Sequence, residues 1–385
     1  MKGWEVQPLG VVCRIDKNQG HYAALPYVGL EHIESGTGRL LGTAAGDSVK
    51  STTFSFSAEH VLYGRLRPYL NKVLLPDFAG HCSTEIFPLM PSEQLDRRFL
   101  FYWLTSESVV KAIDATSTGA RMPRANMDKV LKLAVPLPSL AEQRRIVAIL
   151  DEAFDAIATV KVNTEKNLNN VRAVFETYLQ EVFSQRGEGW VEKRLDQLYH
   201  IGSSKRVLKS QWRTQGVPFY RGREITKLST RGFVDNDLFI SDELFMELSK
   251  QSGVPRANDI MITAIGTIGN SYIVQEGDRF YFKDASVLWM KRTTNVDSLF
   301  VDLWLKSPKF FEQLDRGNGA TVDTLTIQKL QSVRLYLPSK EMQQRIASNL
   351  IGMREKTKHL ESLYQEKLTA LDELKKSLLH QAFTG

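Results

Sequence analysis

The sequence has little cysteine and no long apolar run. Its 385 residues include two cysteines, Cys13 and Cys82, with no CxxC spacing and no ligand cluster beside either. That excludes a disulfide framework and a structural zinc site, and leaves both thiols to be read as small core hydrophobes. No stretch approaches about eighteen consecutive apolar residues, so no membrane-spanning helix is expected. The first residues, with Lys2, Trp4, Glu5 and Pro8 breaking up their apolar neighbours, lack the apolar core of a secretory signal, which points to the cytoplasm.

Catalytic motifs are missing as well. There is no GxxxxGK[ST] loop, and Gly266 to Gly269 has no lysine after it and reads as a turn between strands. No HExxH and no His/Cys/Cys deaminase spacing occurs among the seven histidines. The acidic residues form no obvious pair with a lysine for metal-dependent nuclease work, and no Gly-rich strand-to-helix turn suggests a dinucleotide or S-adenosylmethionine. No catalytic residue and no metal ligand is therefore nominated.

What is present is an ordinary globular composition, 42% hydrophobic and 24% charged, in a chain long enough for two or three cores. It is organised by an internal repeat. Pro138, Ser139, Gln143, Arg145, Ile146 and Leu150 recur as Pro338, Ser339, Gln343, Arg345, Ile346 and Leu350 at a constant offset of 200. Gly119-Ala120 matches Gly319-Ala320, and Leu168, Leu179 and Phe183 match Leu368, Leu379 and Phe383. Trp103-Leu104 and Trp304-Leu305 keep an offset of 201, while Gly3-Trp4 and Gly189-Trp190 lie 186 apart, so length differences fall in the first part of each copy.

Each copy reads as a globular half followed by a long helix. No Gly or Pro interrupts Ala141 to Arg186, and Leu168, Val171, Phe175, Tyr178 and Val182 recur at spacings of three and four. The second stripe runs through Leu360, Tyr364, Leu368, Leu371, Leu374 and Leu378, interrupted upstream only by Gly352. Ser139 and Ser339 are placed to cap these helices, and Gly187 to end the first. A helix of this length, about 65 Å at roughly 1.5 Å per residue, needs a partner, and two matching stripes predict an antiparallel coiled coil with pseudo-twofold symmetry. The globular halves read as α+β, with strands such as Asp259 to Thr263 and Tyr272 to Val274, Gly-rich loops such as Gly317-Asn318-Gly319, and an amphipathic helix around Phe99 to Ile113 and Leu299 to Leu314. The expected boundaries are 1–137, 138–185, 186–337 and 338–385.

The net charge of +6 lies in the globular halves, +2 and +4, while the two helical segments, −2 and +2, cancel. Residues 193–231 hold ten basic residues against Asp196 and Glu224, interleaved with Trp212, Phe219 and Tyr220. Basic residues mixed with aromatics in loops are the footprint of a nucleic-acid face. The candidate DNA contacts are Lys205, Arg206, Arg213, Arg221 and Arg223 in the second half, and Arg65 and Arg67 beside Tyr69 with Arg121 and Arg124 after Gly119 in the first. Arginine is favoured because its planar fork bonds guanine O6 and N7 together. Two other classes compete: a catalytic DNA enzyme, for which cofactor motifs are lacking, and a coiled-coil scaffold without DNA specificity, which leaves the basic run unexplained.

The segment VPLPSLAEQRRI at 135–146, repeated as LYLPSKEMQQRI at 335–346, resembles the boundary between target-recognition domain and conserved helix in specificity subunits of type I restriction-modification systems. The likeness spans the chain: two recognition domains, a central and a C-terminal conserved helix, and the Gly119-Ala120 and Gly319-Ala320 loops. Met342 replaces Glu142 in the second copy, a change expected to affect the helix start. The resemblance implies a non-catalytic reader of double-stranded DNA, one recognition domain per half of an interrupted target, with the helix pair as a ruler. It implies two adenine-methylating modification subunits on that helix pair and restriction subunits joining through them. It also implies no cofactor in this chain, S-adenosylmethionine, ATP and Mg belonging to the partners.

Overall fold

The computed structural model describes residues 3–314 and 324–384 and divides into two units, Met1–Lys166 with Tyr364–Gly385, and Asn167–Leu363. The Gly319-Ala320 and Gly317-Asn318-Gly319 loops lie outside the described residues.

In the first unit, β1 (Glu5–Pro8) leads through α1 (Leu9–Val12) to β2 (Cys13–Ile15) and β3 (Gln19–Gly20). Then follow β4 (Tyr27–Val28), β5 (Thr53–Phe56), β6 (Val61–Gly64), β7 (Val73–Leu74), β8 (Gly80–Cys82) and β9 (Ile86–Pro91). The helices α2 (Arg97–Thr105), α3 (Glu107–Asp114) and α4 (Met127–Val130) precede β10 (Ala134–Leu137), and Pro138 and Ser139 separate it from α5 (Leu140–Ser184). The sheets are ordered β2-β9-β6-β7 and β3-β5-β8-β4, with β1 paired to β10. All four residues of β6 and the first four of β9 are buried, as expected of inner strands packed on both faces.

The second unit repeats this plan with β11 (Val191–Arg194), β12 (Tyr199–Gly202), β13 (Val217–Tyr220), β14 (Phe239–Ile240), β15 (Ile260–Thr263), β16 (Ser271–Ile273), β17 (Tyr281–Phe282), β18 (Val287–Arg292) and β19 (Arg334–Leu337). Its sheets run β12-β18-β15-β16 and β14-β13-β17, and β11 pairs with β19 as β1 does with β10. Two extra helices, α6 (Gly222–Arg231) and α7 (Asp242–Ser252), flank β14. Next come α8 (Ser298–Leu305), α9 (Pro308–Leu314), α10 (Ile327–Ser332) and the long α11 (Lys340–Thr384).

The single helix expected after β9 is two helices in both units. The break falls at Ser106, whose hydroxyl bonds back to the Trp103 carbonyl at 2.7 Å, and at Ser307, which does the same to Trp304. Each hydroxyl takes a carbonyl from the last turn and lets the next helix leave at a new angle. Asp96 and Asp297 cap the helices that precede the breaks.

Helices α5 and α11 are 45 residues each, and each is shared between the units. Ser139 and Ser339 accept the amides of Glu142 and Met342 at 3.4 and 3.3 Å, so both helices start in the same register. The Glu142-to-Met342 change leaves the start in place and only replaces the Glu142–Arg145 ion pair with an Arg345 contact to the Met342 sulfur. Helix α5 ends at Ser184, three residues before Gly187, which instead closes a turn with the Trp190 amide.

In the first unit Phe154 lies under the Lys375 ammonium and Lys161 pairs with Asp372, so the two segments run antiparallel. In the second unit Arg172 meets Glu361 at 3.4 Å, while Leu179, Val182 and Phe183 share a core with Ala347 and Leu350. Of the expected seam, Leu168 is buried, and Val171, Phe175, Tyr178, Leu368, Leu371 and Leu378 are half-buried. Leu374 is a correction: it is 47% exposed, and Leu360 is exposed as well. Past Leu371 the inward line steps four residues to 375 and then runs through 378 and 382, beside Leu379 and Phe383 in the first unit's core, so Leu374 is left outside.

Candidate nucleic-acid interface

At the end of β6 the chain turns out of the sheet, and a distant loop meets it. The Arg65 amide donates to the Glu85 carbonyl, the Ala125 amide to the Arg65 carbonyl, and the Arg67 amide to Pro123, at 2.9, 2.9 and 2.7 Å. Arg124 closes the second loop by pairing with Thr118 in both directions. Arg67 sits in the left-handed region at φ 51°, a strained position for a side-chain-bearing residue that heads the turn Pro68–Leu70. Arg65, Arg67, Arg121 and Arg124 are thereby gathered on two laced loops, with Tyr69 exposed beside them.

Their side chains differ in use. Arg65 Nε donates to one oxygen of Glu85 at 3.0 Å, and Arg124 Nε donates to the other at 2.9 Å. Burial pushes the Glu85 carboxyl up, but hydrogen bonds and charges from Arg124 and Arg65 outweigh it and hold the group below its ordinary value. Arg67 and Arg121 are exposed and have no side-chain partner among the described residues.

The second unit has the same backbone frame with other residues in it. The Ala264 amide donates to Ser286 and the Leu325 amide to Ala264, at 2.9 and 2.8 Å, and Ile265 bridges Thr324. Ala264, Gly266, Ser286 and Thr324 thus stand where the first unit has Arg65, Arg67, Glu85 and Arg124. The neighbouring strand pair also repeats: β4 runs parallel to β8 and β13 parallel to β17. After β4 the Gly29 amide bonds to His32 Nδ1; after β13 the Arg221 amide bonds to Glu224 at the same distance, 2.9 Å. Arg221 and Arg223 therefore occupy the positions of Gly29 and Glu31.

Lys205, Arg206 and Arg213 are exposed on the connection between β12 and β13. Ser204 and the Lys205 amide stitch its start to β17, at Phe282 and the Tyr281 hydroxyl. Arg213 bonds the carbonyls of Ser210 and Trp212. Arg221 and Arg223, read from the sequence as open forks, are instead engaged. Arg221 grips both oxygens of Glu224 at 3.1 and 3.0 Å and reaches Asp237 at 3.1 Å, and Arg223 contacts the same two carboxylates. Glu224 is 1% exposed. A carboxylate buried to that degree needs paired cations, and these two arginines are at hand.

Sequence reasoning missed Glu85 and Asp237 and passed over Glu224 as a stray acid. Glu85 lies 20 and 39 residues from the arginines it joins, so only tertiary pairing reveals it. A Ser57–His60–Asp16 chain superficially resembles a nucleophile relay, with contacts of 3.0 and 3.1 Å. His60 Nδ1 already accepts the Ser57 backbone amide at 3.0 Å, which occupies the lone pair a general base needs. Cys13 and Cys82 are buried, and burial pushes the Cys13 thiol up to about 12. No described helix is long and apolar enough to cross a membrane.

Two α+β units of one plan, with long helices running between them, define a duplicated-domain protein. The chain belongs to the family described as the type I restriction modification DNA specificity domain, which matches residues 1–170 and again 187–366. It is 28% identical over 263 residues to a putative type I restriction enzyme specificity subunit, S.HindORF215P, of Haemophilus influenzae, covering 67% of this chain and 64% of that protein. It is 31% identical over 161 residues to the EcoDI specificity subunit of Escherichia coli, covering 41% of this chain and 35% of that one. The chain thus spans less than two thirds of either relative's length. A chain solved in work on complex assembly and conformational transition of the type I R-M system superposes with a TM-score of 0.78 at 21% identity, over 100% of this chain and 98% of that one. The HsdS subunit from Thermoanaerobacter tengcongensis does so with a TM-score of 0.68, also at 21% identity, over 100% and 97%.

Proposed function

We propose that this chain is the sequence-specific DNA-recognition subunit of a type I restriction-modification complex, reading a bipartite target with one globular region per half-site. The observation that carries the reading is the doubled loop frame. Two backbone hydrogen bonds and one bridge recur in both units, while the arginines sit on different positions of the frame. Two readers with one scaffold and different side chains suit two unrelated half-sites. The working division is 1–137 and 186–337 as recognition domains, with 138–185 and 338–385 as the helices that space them.

In this reading the chain is non-catalytic and acts in the cytoplasm. Two modification subunits dock on the helix pair and restriction subunits join through them, so S-adenosylmethionine, ATP and Mg are bound by partners. Arg67, Arg121, Lys205 and Arg206, exposed on their loops, are suited to phosphates; Arg65, Arg124, Arg213, Arg221 and Arg223, held by protein acceptors, are suited to fixed contacts. A coiled-coil scaffold without DNA specificity would leave both loop frames without a task.

The test is a genome-wide map of methylated adenines in the host with and without this gene. Loss of one bipartite motif on deletion is the expected result. An unchanged map, in a host whose modification subunit is active and co-purifies with the chain, would overturn the proposal.

A further inference from the structure

Arg65 is fixed on two sides and open on the third. Its Nε donates to Glu85 at 3.0 Å, and its guanidinium lies 5.0 Å from the centroid of the Phe87 ring. Neither terminal amino group has a partner among the described residues, and the side chain keeps 32% of its exposure. Glu85 is itself held, because Arg124 Nε and Nη2 take its other oxygen at 2.9 and 2.8 Å. Backbone bonds from Arg65 to Glu85 and from Ala125 to Arg65 lock the two loops that carry this set.

The open edge is the pair of terminal amino groups, the edge of the fork that bonds two adjacent acceptors in one plane. Guanine offers that pair, O6 and N7, in the major groove. A phosphate would meet two arginines already partly neutralised by Glu85, which weakens its attraction to the same amino groups. The neutral guanine edge depends on the direction of the fork more than on net charge. Orientation also matters more for a base than for a phosphate, and here the ring below and the carboxylate beside have already removed most of the arginine's rotamer freedom.

We infer that Arg65 reads a guanine in the half-site bound by the first unit, with Glu85 as its positioning residue, Phe87 as the floor and Arg124 as the strut. The inference rests on the DNA-reading function proposed above. It is confined to one half-site, because the second unit has Ala264, Ser286 and Thr324 at the positions of Arg65, Glu85 and Arg124.

The experiment uses the full chain produced with its modification partner in cells, and reads the methylated-adenine motif for the wild type and for R65A, R65K, E85Q and the double variant R65A/E85Q. R65A should lose the preference for guanine at a single position of one half-site, by about tenfold or more, with the other half-site and the spacer unchanged. E85Q should weaken that same position and no other, R65K should fail to restore it, and the double variant should be no worse than R65A. The intact second half-site reports that the variant is folded and assembled. Should R65A not assemble, the isosteric E85Q still gives the position-specific readout. An unaltered motif in R65A, or a uniform fall in methylation at all sites as a phosphate contact would give, overturns the inference and leaves the DNA-reading function standing. A wild-type complex with no bipartite motif overturns both.

Discussion

Gln143 and Gln343 are buried polar residues that use their amides entirely on backbone. Gln143 accepts the Asp96 amide at 2.7 Å and donates to the carbonyls of Gln94 and Pro138, both at 2.9 Å. Gln343 accepts the Asp297 amide and donates to Pro338 in the same way, at 2.9 Å each. Each therefore staples the first turn of a long helix to the cap of the helix that follows the sheet. Replacing either by Ala strands a buried amide and a carbonyl, at an expected cost of about 2–3 kcal/mol. Urea unfolding should show that loss for each single variant and close to its sum for the double, because the two share no partner. The repeat marked both glutamines as special from sequence, but Gln94, Asp96 and Asp297 lie 46 to 49 residues upstream of them, which spacing cannot show. The same holds for Glu85, and its titration gives a second prediction. A carboxylate depressed by Arg124 and Arg65 stabilises the fold above its unfolded value, about 4.3, and that stability drains away as pH falls through the lower folded value. Thermal midpoints of wild type and E85Q should therefore stay parallel above about pH 5 and converge below about pH 4; a gap that stays constant with pH would refute the assignment.

The helices were the most legible elements, since forty-odd residues without Gly or Pro in α5, a single Gly in α11 and two serines after prolines leave few alternatives. Their exact faces were not. Three residues on from Leu371 falls Leu374, whereas the end of α11 steps four residues to Lys375 and then to Leu378, toward Leu379 and Phe383 in the first unit's core. No such shift occurs in α5, where Leu168 and Val182 are buried and Val171, Phe175 and Tyr178 are half-buried, with Leu179 and Phe183 buried beside them. Leu374→Gln should accordingly change stability by no more than about 0.5 kcal/mol, while Leu379→Ala should cost about 2–4 kcal/mol in the same denaturation assay. Gly352, read as an interruption, lies inside α11, and a Cβ built there meets nothing within 4 Å. Gly352→Ala should therefore stabilise the chain by about 0.5–1 kcal/mol. The paired helices after β9 and β18 were missed for a different reason: hydrophobic periodicity runs through Ser106 and Ser307, although Pro308 at the start of α9 marks the second break, and at Ser106 the backward hydrogen bond reveals the first.

At the scale of the whole molecule, duplication explains why some features could be read from sequence and others could not. Residues that build the shared frame, the helix starts and the strand β10 with its counterpart β19, keep an offset of 200 and announce the repeat. Residues on the loops have diverged, so Arg65 against Ala264 and Glu31 against Arg223 become comparable only after the hydrogen-bonded frame aligns them. The two units exchange helices: α5 starts with the first and ends with the second, and α11 does the reverse. In the proposed function, any change in the length of both helices between the units must therefore change the distance between the two readers. Seven residues, about two turns, inserted after Lys166 and again after Leu363 preserve the facing sides and add roughly 10 Å of rise. At about 3.4 Å per base pair, the methylated target should gain about three base pairs of spacer with both half-sites unaltered. The methylated-adenine motif of the doubly inserted chain measures this directly. An unchanged spacer would show that the helix pair does not set the separation, whereas a longer one would tie target geometry to helix length.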